Sequence, residues 1–262
     1  MNDTPWTAQR LAEELLEAAD TATSRTSVEA EWPELDLATA YRAQDAALDL
    51  RLARGEKLIG IKLGVTSRAK QKQVNIDTPN VAWLTDAMRL PAGEPVVVEE
   101  YIHPRAEPEI AFLLGRDLAG PGIGPETAMA AVDAVYAAVE IIDSRFAGYK
   151  FTVTDVTADN ASSGRFVMGS VPASPFGLDL ALEAVLVESG GEVIDSATGA
   201  AVYGNPAEAL AFAANLLGER GHTLKAGWLV LTGGMTDAVP LTPGMSVSAQ
   251  FSNLGSVTVR AQ

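Results

Sequence analysis

The sequence predicts an α+β fold, in which a helical N-terminal region over residues 1–56 precedes a β-rich mixed-sheet core over residues 57–262. Apolar residues recur at helical spacing throughout the first region. After Gly55 the chain instead carries short apolar runs separated by turn residues, a pattern typical of strands. These runs do not alternate regularly with helical segments, which argues against a doubly wound parallel sheet.

Two helices are predicted in the N-terminal region. The first covers residues 6–19, where apolar residues recur at the spacing of an amphipathic helix. The second begins after Asp36, a favourable N-cap, and ends at Arg54, because Gly55 suits the left-handed position that follows a helix. The polar residues 22–34 between the two helices predict a loop.

Short apolar runs predict the strands of the core, since each run is bounded by turn residues. They cover residues 58–63, 110–114, 134–142, 165–168, 182–187, 228–231, 247–251 and 257–260. The pair Gly190-Gly191 predicts a hairpin turn after the fifth run. A further helix is predicted from Asn205 to Glu219, because Asn205 is a favourable N-cap and Pro206 suits the first helical position.

The composition excludes several kinds of site and partner. The 262 residues contain no cysteine, which excludes disulfides and thiolate catalysis, and only two histidines, which excludes a poly-histidine metal site. The net charge of −15 repels a phosphate backbone, so we expect no nucleic-acid partner. The sequence shows no signal pattern, and no apolar stretch reaches the ~20 residues of a membrane span, so we expect a cytoplasmic protein with no membrane partner.

Three glutamates in apolar surroundings predict the functional site. Glu107 and Glu109 open the apolar run at residues 110–114, and Glu140 interrupts the run at residues 134–142. Residues i and i+2 of a strand share one face, so Glu107 and Glu109 direct their carboxylates to the same side. Because an unpaired buried carboxylate is costly, we expect the three groups to converge on a divalent metal ion.

Two interpretations of the glutamates compete. In the first, they lie on a solvated strand edge and form salt bridges with Arg105 or Arg145. The second, a metal site, is favoured because Glu140 has apolar neighbours on both sides. Carboxylate ligands select Mg²⁺, Mn²⁺ or Ca²⁺ over zinc, and three protein ligands leave coordination positions for water or substrate.

A lysine lies inside the first apolar run of the core. Lys62 stands between Gly60 and Gly64, and glycines in a strand allow the backbone to approach a ligand closely. Lysine is rarely buried unless it is paired. Lys62 is therefore predicted to hold a substrate carboxylate or to act as an acid or base, and the alternative is a strand-edge lysine that extends to water.

Two polar segments are weaker candidates for ligand binding. Residues 159–164 precede a predicted strand, and their alternative interpretation is an ordinary turn. Residues 232–236 follow a predicted strand and contain Gly233 and Gly234, so their backbone N–H groups are candidates for binding an anion.

Seven segments spread along nearly the whole chain match one protein family. They are residues 60–67, 103–112, 139–145, 158–163, 204–207, 232–234 and 254–257. In these segments the chain resembles the 2-keto-4-pentenoate hydratase and 4-oxalocrotonate decarboxylase group of the fumarylacetoacetate hydrolase superfamily. The resemblance implies a β-roll-like core and substrates that are 2-oxo acids.

The resemblance also implies a set of site residues. It places the ligands of a Mg²⁺ or Mn²⁺ ion at Glu107, Glu109 and Glu140, in agreement with the physical argument. The remaining predicted site residues are Lys62 and Asp77 as catalytic residues, and Ser162, Thr232 and Gly233 as substrate-binding residues.

Two branches of this family compete. The decarboxylase branch typically has Ile-Asp-Ser-Arg after the third glutamate and Thr-Gly-Gly near the C-terminus, as this chain has at residues 142–145 and 232–234. Asp77 departs from that branch, which often has glutamate at the position, and Asn205 replaces a usual histidine. The two matching segments favour the decarboxylase branch.

The resemblance leads to a specific functional expectation. We expect metal-dependent decarboxylation of 2-oxohex-3-enedioate to 2-hydroxypenta-2,4-dienoate, a reaction of meta-cleavage aromatic catabolism. The nearer alternative is a hydratase that acts on this dienoate, and the more distant one is a non-catalytic binder of 2-oxo acids. The resemblance also implies a homo-oligomer and a complex with a partner hydratase.

Overall fold

The computed structural model describes residues 5–67, 71 and 78–262. Its helices and strands in chain order are α1 Ala8–Asp20, α2 Leu37–Ala53, β1 Leu58–Gly64, β2 Asn80–Thr85, β3 Arg105–Leu114, α3 Pro125–Met129, β4 Val132–Ile142, α4 Val153–Ala158, β5 Ser163–Met168, β6 Ala184–Ser189, β7 Glu192–Thr198, α5 Pro206–Glu219, β8 Leu229–Leu231, β9 Val239–Pro240, β10 Ser246–Phe251 and β11 Gly255–Arg260.

The strands form two sheets, and the predicted α+β class with a mixed sheet is confirmed. A seven-stranded sheet has the order β2-β1-β8-β3-β4-β5, with β9 paired to β3, and a four-stranded sheet has the order β11-β10-β6-β7. The pairing of β1 with β8 is parallel, whereas β1 pairs with β2 and β3 pairs with β4 in antiparallel fashion. The larger sheet is therefore mixed.

The main hydrophobic core lies on one face of the seven-stranded sheet. Ile61 of β1 and Phe112 of β3 contribute to it, together with Val187 of the smaller sheet and Leu210 of α5. All four side chains are fully buried. The opposite face of the larger sheet carries a smaller apolar cluster, so this sheet is covered on both sides.

The two N-terminal helices form where the sequence predicts them. The Asp36 side chain accepts from the Thr39 N–H and caps α2, as expected for a favourable N-cap. Gln44 of α2 donates to the carbonyls of Val81 and Thr157, each at 3.0 Å, and so connects the helices to the core. The division of the chain at residue 56 stays a prediction.

The predicted hairpin turn is confirmed between β6 and β7. Gly190 and Gly191 have φ values of +61° and +85°, which suit a type I′ turn. The fifth apolar run, predicted at residues 182–187, lies two residues before the strand that the structure shows, Ala184–Ser189. The capping role of Asn205 is also confirmed, because its side chain accepts from the Ala207 N–H at 2.9 Å.

Some elements have no counterpart in the sequence prediction. Strand β2 is buried at every residue, although its apolar run Val81–Leu84 was not assigned to a strand. Helix α4 has only six residues and depends on tertiary contacts, since the Asp155 carboxylate accepts from the Ser27 hydroxyl and the Val28 N–H. Within the described ranges, no helix combines the length and hydropathy needed to cross a lipid bilayer.

Candidate metal and substrate site

The pairing of β3 with β4 brings the three glutamates together. Glu107 lies directly opposite Glu140 in the antiparallel ladder, and Glu109 follows Glu107 on the same face. One carboxylate oxygen from each residue lies within 4.8 Å of the corresponding oxygens of the other two. The predicted convergence of these side chains is therefore confirmed.

The carboxylates are buried and repel one another. The exposed fractions of Glu107, Glu109 and Glu140 are 7%, 0% and 1%. Burial raises the pKa of Glu109 well above its usual range, and the charges of Glu140 and Glu107 raise this pKa further. Burial likewise raises the pKa of Glu140, although the Lys62 ammonium opposes that shift. A divalent cation would relieve both the burial cost and the repulsion.

The free oxygen atoms of the cluster suit a hard metal ion. Oε1 of Glu109 and Oε2 of Glu140 accept no hydrogen bond from any residue in the described part of the chain. Arg145 instead forms an ion pair with Asp159, and the Arg105 guanidinium lies over the Tyr149 ring at 4.2 Å. The pairing of Arg145 and the burial of the three glutamates contradict the alternative of a solvated strand edge neutralised by Arg145, and the geometry fits the metal interpretation.

Lys62 is buried beside the cluster. Its exposed fraction is 2%, its Nζ lies 3.1 Å from Oε1 of Glu140, and it donates to the Ala161 carbonyl at 2.5 Å. The alternative of a lysine that extends to water is therefore wrong. Gly60 permits the close parallel pairing of β1 with β8, because a Cβ there would lie 2.0 Å from the Leu229 carbonyl oxygen.

Ala161, whose carbonyl accepts the Lys62 hydrogen bond, belongs to an unusual turn between α4 and β5. Asn160, Ala161 and Ser162 have φ values of +49°, +51° and +57°, a left-handed conformation that costs about 1–2 kcal/mol for each non-glycine residue. The Asn160 side chain accepts from the Trp83 N–H at 2.8 Å and donates to the Trp83 carbonyl at 2.9 Å. These two bonds hold the turn against β2 and direct the Ala161 carbonyl to Lys62.

A buried ion pair supports the same turn. Arg145 pairs with the Asp159 carboxylate and donates to the Ser163 carbonyl at 2.9 Å, so it spans both ends of the turn. Burial raises the pKa of Asp159 to about 6, although the Arg145 guanidinium opposes the shift. Sequence reasoning considered Arg145 only as a salt-bridge partner in the competing interpretation of the glutamates, and its partner Asp159 is fixed by the tertiary fold.

The segment that follows β8, residues 232–235, is hydrogen-bonded to β3 and to one of the glutamates. The Gly233 N–H donates to Oε2 of Glu109 at 2.7 Å, and the Met235 N–H donates to the Pro108 carbonyl at 2.9 Å. The Thr232 hydroxyl donates to the Ile110 carbonyl at 2.8 Å. This segment therefore fixes a predicted metal ligand through the backbone of Gly233.

The substrate-binding roles predicted for Ser162, Thr232 and Gly233 stay predictions. Gly233 contacts Glu109, and Thr232 precedes Gly233 in the chain. Ser162 follows Ala161, whose carbonyl accepts the Lys62 hydrogen bond. Asp77 lies outside the residues that the structure describes, so its catalytic role also stays a prediction.

Apolar side chains adjoin the carboxylates on the same face of the sheet. Ala111 follows Glu109 at the next inward position of β3, Phe166 of β5 lies opposite Glu140, and Leu231 of β8 lies between Lys62 and Ala111 in the ladder. Ala111, Phe166 and Leu231 belong to the smaller apolar cluster and are fully buried. The carboxylate cluster therefore adjoins an apolar wall, which these three buried side chains form.

Comparison with known proteins identifies close relatives. The chain is 40% identical over 250 residues to the 4-oxalocrotonate decarboxylase of Pseudomonas putida, and this alignment covers 95% of both chains. It is 39% identical over 248 residues to the 2-hydroxyhexa-2,4-dienoate hydratase of Comamonas testosteroni, covering 94% of both chains. No family model matches the chain.

Solved structures agree with the sequence comparison. The structure matches the 4-oxalocrotonate decarboxylase from Pseudomonas putida G7 complexed with magnesium and adipate, with a TM-score of 0.94, 40% identity and 97% coverage of both chains. Another structure of that decarboxylase holds calcium and acetate. The fumarylpyruvate hydrolase from Pseudomonas aeruginosa shares the fold, with a TM-score of 0.60, 15% identity and coverage of 78% of this chain and 88% of that chain.

These similarities extend over nearly the whole chain and include both kinds of enzyme expected from the sequence. Decarboxylases and hydratases are both lyases, so the predicted enzyme class is confirmed. The chain belongs to the 4-oxalocrotonate decarboxylase and 2-keto-4-pentenoate hydratase family.

Proposed function

We propose that this protein decarboxylates 2-oxohex-3-enedioate to 2-hydroxypenta-2,4-dienoate. The observation that carries the proposal is the buried cluster of Glu107, Glu109 and Glu140 beside the buried Lys62. Relatives of 42% and 40% identity bear the name 4-oxalocrotonate decarboxylase, and 4-oxalocrotonate is another name for this substrate.

The three glutamates are proposed to hold one Mg²⁺ or Mn²⁺ ion. When bound, the ion would supply Lewis-acid withdrawal of electrons from the 2-oxo acid end of the substrate. The chain contributes the geometry of the site: the Gly233 N–H orients the Glu109 carboxylate at 2.7 Å, and the antiparallel ladder fixes Glu107 opposite Glu140. Support comes from the oxygen-only donor set and from the free lone pairs of Glu109 and Glu140.

Lys62 is proposed to hold the 2-oxo acid end in place. Its ammonium is fixed by the Ala161 carbonyl and Glu140, so its remaining donor can bind a substrate oxygen without reorganisation. A fixed positive charge stabilises the negative charge that develops on the ketone oxygen during the reaction. Asp77 is proposed as a further catalytic residue, and Ser162, Thr232 and Gly233 are proposed to bind the substrate.

The apolar wall is proposed to favour loss of the remote carboxylate. The bond between carbon 5 and the carboxyl carbon 6 breaks, and its electron pair passes through the carbon 3–carbon 4 double bond to the ketone oxygen. That oxygen then takes one proton from the solvent to give the 2-hydroxy group of the product. Ala111, Phe166 and Leu231 exclude water on this face of the sheet, and a poorly solvating environment favours neutral CO₂ over the carboxylate anion. The substrate accepts the electrons itself, so no organic cofactor is needed.

Hydration of 2-hydroxypenta-2,4-dienoate is the second candidate. The specific observation in its favour is the 39% identity to the 2-hydroxyhexa-2,4-dienoate hydratase of Comamonas testosteroni. Both reactions would use the glutamates and Lys62 in the same way. They differ at the far end of the substrate, where a hydratase admits and activates a water molecule.

The two candidates are separated by supplying Mg²⁺-loaded protein with each substrate in turn. We expect CO₂ release from 2-oxohex-3-enedioate. When 2-hydroxypenta-2,4-dienoate is supplied instead, its ultraviolet absorbance should decrease little. Rapid hydration of the dienoate without CO₂ release would overturn the decarboxylase assignment and leave the metal site intact.

Two variants test the assigned machinery in the same assay. Glu140→Gln should abolish CO₂ release and weaken Mg²⁺ binding measured by calorimetry. Lys62→Met should abolish most CO₂ release while Mg²⁺ still binds. Full turnover of Glu140→Gln after chelation of metals would contradict the proposal that these glutamates hold the ion.

Assembly and location stay proposals drawn from the family resemblance. A homo-oligomer and a complex with a partner hydratase are proposed on that resemblance alone. A cytoplasmic location is supported by the absence of cysteine, which is compatible with a reducing compartment.

A further inference from the structure

Three polar side chains next to the site are buried without hydrogen-bond partners. The exposed fractions of Thr66, Asn80 and Ser162 are 2%, 4% and 4%. Oγ1 of Thr66, Oδ1 and Nδ2 of Asn80 and Oγ of Ser162 find no partner among the residues that the structure describes. Buried polar groups are usually hydrogen-bonded, so unpartnered ones beside a site indicate a ligand or ordered water. Neither Thr66 nor Asn80 belongs to the site predicted from the sequence.

Thr66 lies against the backbone that holds a predicted metal ligand. A Cβ built on Gly233 would lie 2.1 Å from Oγ1 of Thr66, and the Gly233 N–H donates to Oε2 of Glu109 at 2.7 Å. The absence of a side chain at Gly233 therefore leaves room for the Thr66 hydroxyl. The Thr66 hydroxyl therefore lies against Gly233, the residue whose N–H contacts Glu109 of the carboxylate cluster.

Asn80 and Ser162 lie on the Lys62 side of the site. Asn80 pairs with Gly64 across the β1–β2 ladder, and a Cβ on Gly64 would lie 2.4 Å from Oδ1 of Asn80 and 3.3 Å from Cβ of Ala161. Ala161 receives the Lys62 hydrogen bond, and Ser162 is the next residue. The absence of a side chain at Gly64 thus leaves room for the Asn80 amide on the Lys62 side of the site.

We propose that Thr66, Asn80 and Ser162 form a polar pocket that binds the carboxylate of a 2-oxo acid next to the metal site. The inference rests on the proposed function for the class of ligand and adds Thr66 and Asn80 to the binding residues. The two hydroxyls and the Asn80 amide offer donors to carboxylate oxygens, and Lys62 supplies a nearby positive charge. The three side chains add no negative charge, so they suit an anion better than a second cation.

The amide of Asn80 has a distinct part in this pocket. Its oxygen and its nitrogen are both unpartnered among the described residues, so it can donate and accept at the same time. A carboxylate alone needs only donors. The Asn80 oxygen is therefore assigned to an ordered water or to the hydroxyl of the enol form of the substrate, and the nitrogen to the carboxylate.

Binding of pyruvate to Mg²⁺-loaded protein tests the pocket without any turnover. Pyruvate is a 2-oxo acid without a remote carboxylate, so its affinity does not depend on which reaction the enzyme catalyses. Thr66→Val keeps the shape of the side chain and removes the hydroxyl. We expect it to weaken pyruvate binding in calorimetry by about tenfold or more, the usual effect of losing a hydrogen bond to a charged group, while Mg²⁺ affinity stays unchanged.

Two further variants make the result specific. Thr66→Ser retains the hydroxyl and should restore most of the pyruvate affinity. Thr157→Val is the matched control, because Thr157 is also fully buried with an unpartnered hydroxyl, but it lies on α4, where its carbonyl binds Gln44 of α2. We expect Thr157→Val to leave pyruvate affinity unchanged.

The outcomes separate this inference from the proposed function. Unchanged pyruvate affinity in Thr66→Val, with normal binding to the wild type, would overturn the pocket and leave the proposed function standing. A parallel loss of Mg²⁺ affinity would also overturn it, since Thr66 would then act through Glu109. If the wild type with Mg²⁺ does not bind pyruvate at all, the 2-oxo acid function itself fails.

Discussion

Gly233 connects the C-terminal part of the chain to a predicted metal ligand, and replacing it should damage metal binding. Its N–H donates to Oε2 of Glu109 at 2.7 Å, and its φ of +107° lies in the region that favours glycine. A Cβ at this position would lie 2.1 Å from Oγ1 of Thr66. Gly233→Ala must therefore displace either Thr66 or the N–H that orients Glu109.

The expected magnitude has two parts. The left-handed conformation costs an alanine about 1–2 kcal/mol, which lowers the free energy of unfolding. Loss of a hydrogen bond to a charged group costs about 1.5–3 kcal/mol. Because that bond orients a metal ligand, the second cost should appear as a dissociation constant for Mg²⁺ that is about 10–100-fold higher.

The assay compares Gly233→Ala with Gly244→Ala. Gly244 has a similar φ of +87°, but a Cβ there would meet no atom within 4 Å. Gly244→Ala should therefore lower the free energy of unfolding only through the backbone conformation. Calorimetric titration with Mg²⁺ and thermal unfolding of the metal-free proteins measure the two effects separately. Equal Mg²⁺ affinity in the two variants would refute the argument that Gly233 positions Glu109.

Two further predictions concern the surroundings of the site. Asn160→Ala should lower the free energy of unfolding by about 2–3 kcal/mol in chemical denaturation, because it removes both hydrogen bonds to the Trp83 backbone. Asn160→Gly should lose less, since glycine tolerates the left-handed conformation, and equal losses would contradict the proposed backbone strain. Burial lowers the pKa of His103 against the opposing charge of Asp143, so folding favours the neutral imidazole. This contribution is present above the unfolded pKa, so the wild type should lose stability relative to His103→Gln as the pH falls from about 7 to about 5, and parallel stability curves would contradict it.

The sequence predicts those parts of the site that depend on local periodicity. The alternation of a strand is sufficient to place Glu107 and Glu109 on one face, and the apolar neighbours of Glu140 are sufficient to predict its burial. Lys62 between two glycines is equally local. Each of these predictions concerns residues that are adjacent or nearly adjacent in the chain.

The parts that the sequence does not predict depend on long-range contacts. Thr66 and Asn80 are isolated polar residues beside β1 and at the start of β2, and nothing in their neighbours marks them as buried. The pairing of Arg145 with Asp159 and the use of the Gly233 N–H require the folded chain. Asparagine does tolerate the left-handed region, but two following non-glycine residues in the same conformation are not expected from propensity.

The parallel pairing of β1 with β8 has a consequence for the order in which the protein assembles. It joins the first strand of the core to the eighth, so closing the sheet at this point requires a long stretch of chain to be ordered first. The glutamates can meet as soon as β3 and β4 pair, but the Gly233 N–H reaches Glu109 only after β8 has joined. During synthesis, we expect tight metal binding to mark the completion of folding rather than to initiate it.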